Sequence, residues 1–212
     1  MLTTTQILAF LLAAVLLTAT PGPDNLMVLS MGMSKGRRTG IAFGLGCALG
    51  CLSHTLLAVI GVGAILAASP VAFTALKWAG GAYLIWLGIQ ALPHAGAVRV
   101  DGGNTGQQAP AEPLRRTFAK GLVANAINPK VVLFFLSFLP QFVDVSRGSM
   151  ELQLGLLGLL FTAQAAVLFG LLGYFSGSVG GWINRKPQVG VWLDRLAGTV
   201  FVALGVRMIV VR

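Results

Sequence analysis

The sequence predicts an all-α integral membrane protein of six transmembrane helices, arranged as two inverted three-helix repeats with helices one and four broken. Three observations lead there. Of the 212 residues 56% are hydrophobic and only 10% charged, and the mean hydropathy is +0.83. Soluble globular chains carry about 25% charged residues. Six apolar segments each reach the ~20 residues that a helix needs to cross hydrocarbon. Two of the six are interrupted by proline at corresponding places in the two halves, each beside an ionisable residue.

The first segment, residues 6–33, contains Thr20-Pro21-Gly22-Pro23-Asp24-Asn25. Proline lacks a backbone donor and clashes with the preceding turn, so the helix must break or kink there. No Lys or Arg precedes Lys35. The basic region of a cleaved signal peptide is therefore missing, and 6–33 reads as a retained span. Residues 40–68 and 70–92 form the second and third spans, separated only by Ser69-Pro70, the sign of a tight helical hairpin. Residues 93–116 are rich in Pro, Gly, Gln and charge and read as a polar linker. The fourth segment, 118–143, breaks at Asn128-Pro129-Lys130, and 152–179 and 189–211 complete the set. The whole chain, 1–212, reads as a single transmembrane domain: a first half 1–92, the linker 93–116 and a second half 117–212.

The net charge of +9 does not indicate nucleic acid, because the cations lie in short segments between apolar spans and form no basic stripe. Ten of the fifteen follow spans one, three and five: Lys35, Arg37, Arg38, Arg99, Arg115, Arg116, Lys120, Arg185, Lys186 and Arg195. The positive-inside rule then places the linker in the cytoplasm and both termini outside. Three spans per half give the halves opposite orientations, the parity of an inverted repeat.

Asp24 and Lys130 are the first candidates for chemistry. At 1.5 Å per residue Asp24 lies about 16 Å from Lys35, and Lys130 about 15 Å from Lys120. Both therefore reach the middle of a ~30 Å hydrocarbon layer. A charge there costs at least a few kcal/mol unless it is paired or wet. The two are expected to face one another, either as part of a substrate site or as a purely structural ion pair. Helix N–H groups after Pro23 or Pro129 can attract a carboxylate, and carbonyls freed at Thr20 or Asn125 can take an ammonium. With the amides of Asn25, Asn125 and Asn128, or with those amides acting only as caps, such a cavity suits a zwitterion. Gln164 lies ~20 Å into span five and needs a partner there; it is a candidate to line the path.

Cys47, Cys51 and His54 fall on one stripe of span two at spacings of four and three. Two thiols and an imidazole fit a soft metal, a packing or substrate-lining stripe, or a proton-carrying His54. Gly40/Gly44, Gly46/Gly50 and Gly173/Gly177 give small-xxx-small spacings, which offer close helix packing or a homodimer face. His94, Asp101 and Glu112 read as solvated linker residues. Trp78, Trp86, Trp182 and Trp192 read as interfacial or packing aromatics.

These motifs, taken together, resemble the LysE/RhtB family of bacterial amino-acid exporters over nearly the full length. The resemblance is carried by Thr20-Pro21-Gly22-Pro23-Asp24-Asn25, by Lys35-Gly36-Arg37-Arg38-Thr39-Gly40, and by Gly46-Cys47-Ala48-Leu49-Gly50 with His54. Gly80-Gly81-Ala82-Tyr83-Leu84, Asn128-Pro129-Lys130, Phe134-Phe135, Leu139-Pro140-Gln141-Phe142, Gly198 and Gly205 complete it. It implies a secondary exporter of the bacterial inner membrane driven by protons, with Pro21, Gly22, Pro23, Asp24 and Asn128, Pro129, Lys130 as the two signature motifs. No cofactor and no enzymatic activity are implied. Many members carry an acid where this chain has Cys51, and exporters of basic amino acids tend to carry another in span four. Here that stretch reads Val131-Val132-Leu133-Phe134-Phe135, which favours a neutral substrate such as threonine, homoserine or leucine. The alternative is a soft-metal exporter built on Cys47, Cys51 and His54.

Overall fold

The computed structural model describes residues 2–20, 22–91 and 112–210. The expectations for Pro21, and for the linker up to residue 111 with His94, Arg99 and Asp101, lie outside the described residues. Those that are described hold helices and turns and no strand.

Helix α1 (Thr4–Ala19) starts on a capping box in which Thr3 and Gln6 satisfy one another's backbone N–H groups. After the first break α2 (Pro23–Lys35) runs to Gly36, whose φ of +90° lets the chain reverse at once into α3 (Arg37–Ala68). Helix α4 (Pro70–Ala91) follows, then α5 (Leu114–Ala126) and α6 (Pro129–Leu133) on either side of the second break. The chain continues as a π turn (Phe134–Phe138) and a 3₁₀ turn (Leu139–Phe142). Pro140 cannot donate to a regular helix, and the Ser137 hydroxyl donates back to the Leu133 carbonyl. These turns depart from the regular helix expected to residue 143.

Helix α7 (Met150–Tyr174) starts on the Ser149 hydroxyl, which accepts from the Leu152 N–H. The expected span 152–179 does not run through. It ends at Tyr174, and a separate α8 (Ser176–Arg185) begins after Phe175. The chain turns there because α8 packs on α2: Ile183 buries with Leu29, and fully buried Ser176 fills the space left by Gly32. Helix α9 (Pro187–Val210) lies antiparallel to α4, with Gly88 against the Gly198 carbonyl and Gly205 against that of Gly81.

By length and composition, Arg37–Gly61 and Met150–Tyr174 can each cross a membrane. Two more spans result if each bent pair counts as one: α1 with α2, bent by 56°, and α5 with Pro129–Phe142, bent by 51°. Large apolar side chains cover the outside, among them Leu12 at 65% and Leu56 at 59% exposure. Trp78, Trp86, Trp182 and Trp192 are all about half exposed or more. They belong to this outer surface and not to the packed interior.

The interior is aromatic where the broken helices meet. Phe10 packs edge-on to Phe142, and Phe161 lies against Phe134 and Phe135. Gln6 donates to the Phe142 carbonyl at 3.2 Å, which ties the start of the first broken helix to the end of the second. At the opposite end Lys35 meets Glu112 at 3.8 Å. The two broken helices therefore run antiparallel, and their breaks fall at the same level.

The small-xxx-small faces are consumed within the chain. Gly46 meets the Phe118 carbonyl of α5, Gly121 the Phe43 carbonyl of α3, Gly44 the Phe169 backbone and Gly173 the backbone at Gly40 and Ile41. This corrects the homodimer face: except at Gly177, which has no neighbour, these glycines pack helix on helix inside one copy. A Gly46→Ala methyl would strike the Phe118 carbonyl and push α3 from α5. We expect a loss of about 2 kcal/mol or more in thermal unfolding of the detergent-purified protein. Gly155→Ala, whose Cβ meets nothing, is expected to leave the melt unchanged or to raise it by a few tenths of a kcal/mol.

Candidate functional site

Each break exposes backbone groups that a continuous helix would have paired. At the first, Thr20 turns to an extended conformation and Gly22 caps α2 without a side-chain hydrogen bond. The Thr20 hydroxyl donates to the Leu16 carbonyl at 2.6 Å, and the Asn25 amide reaches back across the break to the Thr18 carbonyl at 2.8 Å. At the second, the Asn128 side chain accepts from the Lys130 N–H at 3.1 Å. Pro129 sits in the first turn, where its missing donor costs nothing.

Asn125 joins the two breaks to α3. Its amide donates to an Asp24 carboxylate oxygen at 2.8 Å. Its side-chain oxygen lies 3.5 Å from the Cys51 thiol, which donates to it. Its main-chain carbonyl lies 3.0 Å from His54 Nε2. A carbonyl can only accept, so Nε2 carries the proton in that contact. Nδ1 is then left buried without a partner. Gly50 makes the arrangement possible, since a Cβ there would lie 2.8 Å from that of Asn125.

Lys130 lies on the other side of the same space. Its Nζ is 3.4 Å from the Thr20 carbonyl and 5.2 Å from the centre of the Phe201 ring, a cation–π distance. A Cβ at Gly22 would come within 3.2 Å of it. Asp24 and Lys130 thus line one cavity but form no ion pair; among the described residues the ion pairs are those of Glu112 and Asp144. The alternative of a purely structural Asp24–Lys130 bridge is corrected accordingly. Asp24 takes its hydrogen bond from an amide, and the ammonium rests on a carbonyl and a ring.

Asn25, Asn128, Pro23, Gly22 and Cys51 also line the cavity, with Leu17, Thr18, Val131, Phe161 and Phe169 completing the wall. The space is about 20 Å³, the room of a single water. Gln164 stands behind Thr18, donating to its hydroxyl at 2.9 Å with its own oxygen buried and unpartnered. His54 stands behind Asn125. Sequence reasoning missed Thr18, Phe161 and Phe169. Thr18 is a hydroxyl just before the first break, a signal that could have found it; nothing in the sequence separates Phe161 and Phe169 from other membrane phenylalanines.

The Cys47, Cys51 and His54 stripe does not gather into a ligand set. Among the described residues no group of three or more His, Cys, Asp or Glu could hold a metal ion. His54 and Cys51 both turn to Asn125, while Cys47 is buried in the core with its backbone against Gly121 of α5.

A sequence-family model described as LysE type translocator matches residues 15–212. The chain belongs to the LysE type translocator family. Among its relatives is an uncharacterized membrane protein of Vibrio cholerae, 34% identical over 93% of both chains. A homoserine/homoserine lactone efflux protein of Salmonella typhimurium is 29% identical, covering 93% of this chain and 92% of its own. A leucine efflux protein of Klebsiella pneumoniae is 28% identical over 95% and 93%. No solved structure matches the chain. In this translocator Asn125 should be the residue on which the buried carboxylate depends. Asn125→Leu is expected to lower stability by about 1.5–3 kcal/mol, the scale of a hydrogen bond to a charged group. An unchanged unfolding midpoint in detergent would remove Asn125 from that role.

Proposed function

We propose that this translocator exports small neutral amino acids, of the threonine, homoserine or leucine kind, from the bacterial cytoplasm across the inner membrane. Transport is secondary-active, proton-coupled and of the alternating-access type. The single observation that carries this reading is a carboxylate and an ammonium, one from each broken helix, open to one cavity without neutralising one another. A zwitterion complements that pair: its ammonium replaces the Asn125 amide at Asp24, with the Thr20 carbonyl nearby. Its carboxylate meets Lys130 and the uncapped first turn of α2.

A neutral side chain follows from the rest of the wall. Asp24 and Lys130 are the charged residues lining the cavity, and Leu17, Val131, Phe161 and Phe169 face it as apolar surface. A cationic substrate side chain would lie in that surface without a counter-charge. The Salmonella and Klebsiella relatives, homoserine/homoserine lactone and leucine efflux proteins, support the same substrate class.

Coupling rests on competition at one carboxylate. Asp24 holds either a proton or a substrate ammonium. A proton arriving from outside displaces the amino acid outward, and its release to the cytoplasm readies the site for the next substrate. Space for one water does not admit an amino acid, so the halves 1–92 and 117–212 must part to load and unload. The six-span inverted repeat, with its cytoplasmic linker and external termini, supplies a hinge at the antiparallel breaks. His54 and Gln164 hold the site from behind, and Cys51 is part of its wall.

The test is efflux from an exporter-deficient bacterium fed with dipeptides. Expression should speed the release of one neutral amino acid. Asp24→Asn, an isostere that cannot carry the proton, should abolish that release in protein that still reaches the membrane; full activity would sink the coupling role. Replacing Cys47 and Cys51 together by Ala should leave most of the efflux, and its loss would favour the soft-metal reading. Reporters fused at either terminus should be active only outside the cytoplasm, as the charge count requires.

A further inference from the structure

Helices α3 and α5 run side by side from the same end of the molecule. Residues rise together along the contact, from Phe43 and Cys47 opposite Gly121 to Gly50 opposite Asn125. Between their first turns lies an open groove of about 540 Å³ on the outer surface. Ile41 and Leu45 of α3 and Leu114 and Phe118 of α5 form its walls, and Arg38 and Arg115 form its rim. The wall residues follow helical spacing from the two arginines, so the groove is cationic at its mouth and apolar along its length.

The two arginines stand apart from the neighbouring cations. Lys35, Arg116 and Lys120 all converge on Glu112, at 3.8, 3.5 and 2.7 Å. Hydrogen bonding from Lys120 holds the Glu112 carboxyl below the usual carboxylate range, so that acid stays charged and committed. Arg37 lies 4.9 Å over the Tyr174 ring. Among the described residues Arg38 and Arg115 have no acidic partner, and both side chains are exposed. The membrane-length apolar stretch of α3 begins at this rim, which sets the arginines at headgroup level and the walls at acyl-chain depth.

We propose that this groove is a binding site for one anionic phospholipid of the cytoplasmic leaflet. Its phosphate bridges Arg38 and Arg115, and an acyl chain lies along Leu45 and Phe118. Guanidinium groups match phosphate oxygens in geometry as well as charge, and basic pockets between membrane helices select anionic headgroups. The lipid, wedged between α3 and α5 at their common start, braces the pair that carries Cys51, His54 and Asn125.

Native mass spectrometry of the full chain in detergent tests this with phosphatidylglycerol and phosphatidylcholine titrated separately. One phosphatidylglycerol should bind in preference to phosphatidylcholine, on the order of thirtyfold for two basic residues at an anionic headgroup. The preference should vanish in R38Q/R115Q and persist in R38K/R115K and in R185Q, which alters a cation on α8. Should the double glutamine variant not fold, R115Q alone must reduce the preference. Equal binding of the two lipids, uptake of neither, or a preference that survives R38Q/R115Q would overturn the proposal. Inorganic phosphate that displaces the bound lipid at millimolar concentration would assign the arginines to a soluble anion and overturn it too.

Discussion

The buried hydrogen bond from Asn125 to Asp24 is the contact on which the arrangement of the core depends. A carboxylate 7% exposed amid apolar helices is tolerated only if its charge is met by donors. Here the donor is a neutral amide from the other broken helix. Asn125 is itself held from α3, its side-chain oxygen by the Cys51 thiol and its main-chain carbonyl by His54. One residue therefore ties α2, α3 and α5 together beside the carboxylate.

The same economy explains the glycines. A hub of this kind needs α3 and α5 in backbone contact, because an amide reaches only a few ångströms. Gly46, Gly50 and Gly121 remove the Cβ atoms that would keep the helices apart. Close helix approach and the polar cluster are thus one device: the glycines lower the axis separation until Asn125 can serve Asp24 and α3 together. It follows that motifs resembling an association surface between copies are spent inside one.

Prolines do complementary work at the breaks. They end α1 and α5 so that Thr20 and Asn125 present groups a continuous helix would have consumed. The ends of the bent helices are tied down elsewhere, by Gln6 on the Phe142 carbonyl and by the Glu112 cluster. These ties hold the two broken helices together at both ends, with the polar centre between them.

Much of this was legible without coordinates. Composition and segment length announced membrane helices, Pro23 and Pro129 located both breaks, and the depth arithmetic brought Asp24 and Lys130 to one level, because these depend on local stereochemistry and on rise per residue. What only the tertiary structure decided is who touches whom. Asp24 takes an amide where a pair with Lys130 was one of two expectations, Cys51 and His54 turn to Asn125 where a metal could be imagined, and α8 departs from α7 to cover α2. Each outcome is a competition between partners distant in sequence, settled by which backbones approach closely enough for a side chain to reach. Spacing along one helix cannot express that distance.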